Sequence, residues 1–171
     1  RLLPALLGGL LPLAAWLFRE RLRRSEVVAL AALLAVNPAL LYYSRFARSD
    51  LLVATFAFVT VGLVVRLLDT HAPGYLYAAS VSFALEVASK ENALVYPVCW
   101  AGAAFLLWDH RLFAERAGER GLLTVAIERI KTTARGLWQW ADHLVASVLL
   151  FFGIVVFFYA PRNPSMIADH P

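Results

Sequence analysis

Two short polar stretches interrupt an otherwise apolar chain, and both carry residues suited to holding an anion. In the first, Tyr42-Tyr43-Ser44-Arg45-Phe46-Ala47-Arg48-Ser49-Asp50, two arginines, a carboxylate and three aromatic rings fall within nine residues. A planar guanidinium fork matches phosphate oxygens, and a helix opening near Ser49–Asp50 would add backbone N–H groups able to hold the same anion. The composition also suits a plain interfacial turn, with tyrosines in the aromatic belt and arginines on lipid headgroups. The second stretch is Leu85-Glu86-Val87-Ala88-Ser89-Lys90-Glu91-Asn92. Glu86 and Lys90 stand four apart and would share one helix face. Either the two satisfy each other, or Lys90 presents a point charge to the anion of Arg45 and Arg48. Glu86, Glu91 and Asn92 then act as supporting polar groups, with Glu86 facing the bundle interior or a wet cavity.

Other chemistries lack a pattern. His71, His110, His143 and His170 are scattered without metal-binding spacing. Cys99 is the single cysteine, which excludes an internal disulfide and a cysteine metal site. Neither a Gly-rich phosphate loop nor a nucleophile motif is present.

The elements that must position these residues are membrane helices. Of 171 residues, 61% are hydrophobic and 16% charged, against roughly 45–50% and 25% in soluble domains. A net charge of +4 raises the question of nucleic acid, but the basic residues sit in short clusters between apolar runs, as membrane-protein loops do. No nucleic-acid partner is expected. About 20 apolar residues cross the hydrocarbon core, and six stretches come near that length: 2–18, 26–43, 51–68, 74–89, 93–108 and 143–160. The fold class expected is therefore an all-α membrane protein, a polytopic bundle of about six transmembrane helices. Its parts are a five-helix core over 1–108, a cytoplasmic amphipathic connector over 109–142, and a sixth helix with the start of an outer loop over 143–171. In the connector Leu122, Ala126, Ile127, Ile130, Leu137 and Trp138 recur near helical spacing, as in an interfacial helix. Asn37-Pro38 and Pro97 are expected to kink their spans and carry no chemistry. A start at Arg1 that is apolar from Leu2 onward reads as an internal fragment of a longer chain.

Orientation follows from the basic residues of alternate loops, since positive loops stay in the cytoplasm. One side holds Arg19, Arg21, Arg23, Arg24, Arg66, Arg111, Arg116, Arg120, Arg129, Lys131 and Arg135, eleven in all. The opposite side holds five: Arg1, Arg45, Arg48, Lys90 and Arg162. The segments 44–50, 89–92 and 161–171 are thus expected to face outward together in a multi-pass cell-membrane protein.

The order of motifs resembles a known group. Arg1-Leu-Leu-Pro-Ala-Leu-Leu-Gly-Gly9, Arg19-Glu-Arg-Leu22, Asn37-Pro38, Tyr43-Ser-Arg-Phe-Ala-Arg-Ser-Asp50, Ala88-Ser-Lys-Glu-Asn92 and Tyr159-Ala-Pro-Arg162 are similar to glycosyltransferases of the C superfold, the protein O-mannosyltransferases and aminoarabinose transferases among them. The nearest branch is the archaeal one labelled flippase-activity-associated. This resemblance implies transfer of a sugar from a polyprenyl-phosphate donor to a glycan or protein acceptor at the outer face of the bilayer. It places Asp50 at the family's second-loop acidic residue and Lys90 at a lysine beside the donor phosphate, and puts the main catalytic carboxylate in a loop upstream of Arg1. The fragment alone is then expected to be inactive. Asp50 would orient an arginine, bind a divalent metal or help activate an acceptor hydroxyl; no other cofactor is called for. Two further classes compete: a non-catalytic flippase-associated or transport protein handling polyprenyl-phosphate sugars, and a structural subunit.

Overall fold

The computed structural model describes residues 2–45, 49–90, 93, 95–115, 131, 136 and 138–160, and every element among them is helical. The chain divides into two compact units, Arg1–Ala93 with Ser147–Pro171, and Leu94–Ala146.

The larger unit opens with α1 (Leu2–Leu10), which tightens into a 3-10 segment over Leu11–Phe18. Pro12 lies at the start of that segment. Its missing N–H and its ring remove the bond that would continue the α-helix. The expected second span is likewise divided, into α2 (Arg24–Val36) and α3 (Pro38–Arg45). Asn37 leaves the helical region with ψ at 117°, and its Oδ1 accepts from the N–H groups of Ala39 at 3.0 Å and Leu40 at 3.2 Å. An Asn cap followed by a proline at the first helical position starts a new helix, so the expected kink is a full break.

Next come α4 (Ser49–Thr70) and α5 (Pro73–Ser89). At 22 residues α4 runs about 33 Å, enough to cross a bilayer core. Its chain turns through His71, which takes a positive φ of 52°, while Pro73 opens α5 with its φ already set. Three contacts fix the pair as antiparallel. Lys90 meets Asp50 at one end, the Ser82 hydroxyl donates to the Phe56 carbonyl at 3.0 Å midway, and Arg66 lies over the Tyr75 ring at the far end.

The N-terminal elements run alongside α4 in the same direction. Leu17 packs at Gly62, where an added Cβ would stand 2.7 Å from Leu17 Cδ1, so only glycine permits this approach. Phe18 meets Phe58 with ring centroids 5.3 Å apart. The last helix, α7 (Ala141–Tyr159), enters this unit at Ser147 and runs parallel to α5. The Ser80 hydroxyl donates to the Ser147 carbonyl at 2.5 Å, Phe83 stacks on Phe151 at 5.1 Å, and the Tyr159 hydroxyl donates to the Val87 carbonyl at 3.3 Å. Val53, Val87 and Ala93 form the adjoining core, with Phe83, Phe151 and Val155 against it.

The smaller unit holds α6 (Val95–Glu115), longer at its far end than the stretch 93–108 read from hydropathy. Tyr96 pairs with Trp100 along it, ring centroids 6.3 Å apart, and Cys99 is exposed. Of Leu122, Ala126, Ile127, Ile130, Leu137 and Trp138, only Trp138 lies among the described residues, and it is exposed.

Among the described residues two helices, Ser49–Thr70 and Ala141–Tyr159, are long and apolar enough to cross a membrane, and Ala5–Phe18 and Val95–Ala104 are shorter apolar helices. Six spans of that length are not present as single helices among the described residues. Pro12 and Asn37-Pro38 interrupt the first two, and α5 stops at 17 residues.

Candidate functional site

Because α4 and α5 are antiparallel while α5 and α7 are parallel, the start of α4, the end of α5 and the end of α7 share one end of the larger unit. Ser49 begins α4 there, as the sequence led us to expect, with Asp50 in its first turn. A carboxylate at that position is favoured by the partial positive charge of the helix start.

Lys90 caps α5 with extended backbone, φ −164° and ψ 133°, and its carbonyl accepts from the Ala93 N–H at 3.0 Å. That departure from helical geometry decides its partner. Lys90 Nζ lies 2.5 Å from Asp50 Oδ1, with the two side chains 42% and 33% exposed. The i,i+4 pairing of Glu86 with Lys90 is therefore replaced by a pairing across helices. A pair this open to solvent adds roughly 0.2–1 kcal/mol, little enough for a competing anion to displace.

One turn inward, Glu86 is fully buried, and neither carboxylate oxygen has a hydrogen-bond partner among the described residues. A buried polar group left unpaired costs on the order of 1–3 kcal/mol, more for a charge. Ser89 gives it no help, since its hydroxyl donates to the Leu85 carbonyl at 2.7 Å.

Asp50 and Lys90 thus come together and Glu86 lies one helical turn from Lys90 on α5. Arg45 ends α3, though its side chain is outside the described residues, as are Arg48, Glu91 and Asn92. Among the described residues no group of three or more His, Cys, Asp or Glu side chains is placed to hold a metal ion.

The opposite end carries a second set of charges. Arg21 Nη2 meets Asp69 Oδ1 at 2.8 Å. Arg66 Nη1 lies 2.9 Å from Glu20 Oε1, close enough for an ion pair though outside hydrogen-bond angles. The Arg66 and Arg19 guanidiniums hold the Glu20 carboxyl below its usual range, and Asp69 holds Arg21 above its own. An ionisable residue inside an apolar run was the available signal for Arg66.

An apolar groove of about 410 Å³ runs between α1 with its 3-10 extension and the α4–α5 pair, with Leu7, Leu11, Phe56, Val59 and Leu85 in its walls.

No curated protein matches this chain, and no solved structure does. The family described as dolichyl-phosphate-mannose-protein mannosyltransferase matches residues 1–130, a stretch that contains Asp50, Lys90 and Glu86, and the chain belongs to that family.

Proposed function

We propose that this chain is part of an integral membrane glycosyltransferase that moves a sugar from a polyprenyl-phosphate donor to a glycan or protein acceptor at the extracytoplasmic face. The observation that carries the reading is the Asp50–Lys90 pair, 2.5 Å apart and partly open to solvent at one end of the larger unit, in a member of a glycosyltransferase family.

In the proposed reaction an acceptor hydroxyl oxygen forms a bond to the anomeric carbon. The bond from that carbon to the phosphate oxygen breaks, and the polyprenyl phosphate leaves with the electron pair. Charge builds on the departing phosphate, and fixed cations stabilise it more in the transition state than before. Lys90, Arg45 and Arg48 are the cations we assign. A phosphate that takes Lys90 releases Asp50, which then accepts the hydroxyl proton, or orients one of the arginines while the departing phosphate takes that proton. The groove beside α1 offers an apolar wall for the prenyl chain.

This reading keeps the six-stretch topology, with residues 44–50, 89–92 and 161–171 outward. It assigns 1–108, 109–142 and 143–171 to core, connector and final span, and takes the archaeal flippase-associated branch as the closest within the family. The break at Asn37 and the unpaired Glu86 favour one alternative, a non-catalytic protein that handles or moves polyprenyl-phosphate sugars, since such proteins use discontinuous helices and buried ionisable groups.

The test is sugar transfer by the full-length protein carrying Arg48→Ala or Asp50→Asn. Transfer falls in both at normal membrane levels; full activity in both would remove this end from the reaction.

A further inference from the structure

Between the 3-10 segment and α2 lies a second groove, about 770 Å³, at the end of the unit opposite Asp50. Leu13, Trp16 and Val28 line it and stay 69%, 59% and 65% exposed. Arg19, Glu20 and Arg24 stand at its mouth, with the Arg19 guanidinium 5.1 Å above the Trp16 ring.

Charge at this mouth is unbalanced. Five arginines, at 19, 21, 23, 24 and 66, gather with three carboxylates, Glu20, Glu26 and Asp69. Each carboxylate is already engaged: Glu20 by Arg66 and Arg19, Asp69 by Arg21, and Glu26 by the Arg23 backbone N–H at 2.8 Å. No carboxylate among the described residues meets the Arg24 side chain. Apolar walls below two cations call for a molecule with an apolar chain and an anionic head.

We propose that this groove binds an anionic phospholipid of the surrounding bilayer, its phosphate on Arg19 and Arg24 and one acyl chain along Leu13, Trp16 and Val28. Basic pockets between membrane helices take anionic headgroups in this way, each arginine adding to the attraction. A free phosphate would satisfy the arginines but leave the apolar walls uncovered. This site lies apart from the Asp50–Lys90 end and needs only the membrane part of the functional reading.

The experiment uses the full-length protein purified in a neutral detergent, with bound lipid measured by native mass spectrometry. Phosphatidylglycerol is retained over phosphatidylcholine by on the order of tenfold. Arg19→Gln with Arg24→Gln abolishes that preference. Ala31→Trp, which fills the groove, lowers retention of both lipids, and Val28→Ser does the same if the larger side chain prevents folding. Equal retention of the two lipids by the wild type, or a preference surviving the arginine changes, overturns the proposal. So does displacement of lipid by glycerol phosphate alone, selective retention of a short isoprenyl phosphate instead, or loss of a dimer in Ala31→Trp with lipid retention unchanged. Release of the protein from membranes by an alkaline carbonate wash would instead overturn the membrane reading itself.

Discussion

The two ends of the α4–α5 pair handle charge in opposite ways. At the end holding Asp69 and Arg66, each described carboxylate faces a cation or a backbone N–H: Glu20 with Arg66 and Arg19, Asp69 with Arg21, Glu26 with Arg23. At the end holding Asp50 and Lys90, an exposed pair stands above a fully buried carboxylate that has no hydrogen-bond partner among the described residues. The first end is closed in the sense that each carboxylate has such a counterpart, although Asp69 Oδ2 and Arg66 Nη1 are buried there without a hydrogen-bond partner among the described residues. A carboxyl kept buried and unpaired costs folding free energy. On the proposed function, the Asp50 end is the one that binds or reacts, and the opposite end holds the elements together.

The largest expected effect comes from transposing the Asp50–Lys90 pair. Asp50→Lys combined with Lys90→Asp keeps an ion pair between the same helix ends, so thermal stability stays near the wild type. Sugar transfer by the full-length protein falls by about 100-fold, the scale of losing one aimed electrostatic contact. Retained transfer would reduce this pair to a clasp and erase the contrast between the ends.

Glu86→Leu sharpens the contrast from the stability side. Removing a buried unpaired carboxyl raises stability by about 1 kcal/mol, read as a higher thermal midpoint, while transfer declines. A lower midpoint would mean that Glu86 has a stabilising partner in the folded protein.

The smallest effect is a pH dependence at the closed end. Glu20 has its folded pKa held below the ordinary 4.5. The stability it contributes is therefore fully present above 4.5 and is lost as pH falls through the lower folded value. Acid unfolding of Glu20→Gln loses that component, so its midpoint changes less than the wild type's between neutral pH and about pH 3. Identical acid profiles would leave Glu20 outside the closed set.

Much of this arrangement was legible in residue order. The helical character, the opening of α4 at Ser49 and the placing of Asp50 and Lys90 at one end follow from apolar runs separated by short polar turns; their direct pairing does not. The partner of Lys90 did not follow, because i,i+4 spacing pairs it with Glu86 only if Lys90 continues the helix, and its extended backbone breaks that assumption. Asn37-Pro38 read as a kink, whereas the Asn side chain caps a new helix. A capping residue inside an apolar run was the missed signal. The fit of Gly62 to Leu17 depends on tertiary approach and leaves no local trace in the sequence.

The most direct test of the central claim is the affinity of the full-length protein for a short-chain isoprenyl phosphate, measured for the wild type, Lys90→Ala and Arg21→Ala. The account predicts at least a tenfold loss, about 1.4 kcal/mol, in Lys90→Ala and no change in Arg21→Ala, which breaks a pair at the closed end. Equal affinity in all three proteins, or a loss confined to Arg21→Ala, would contradict it.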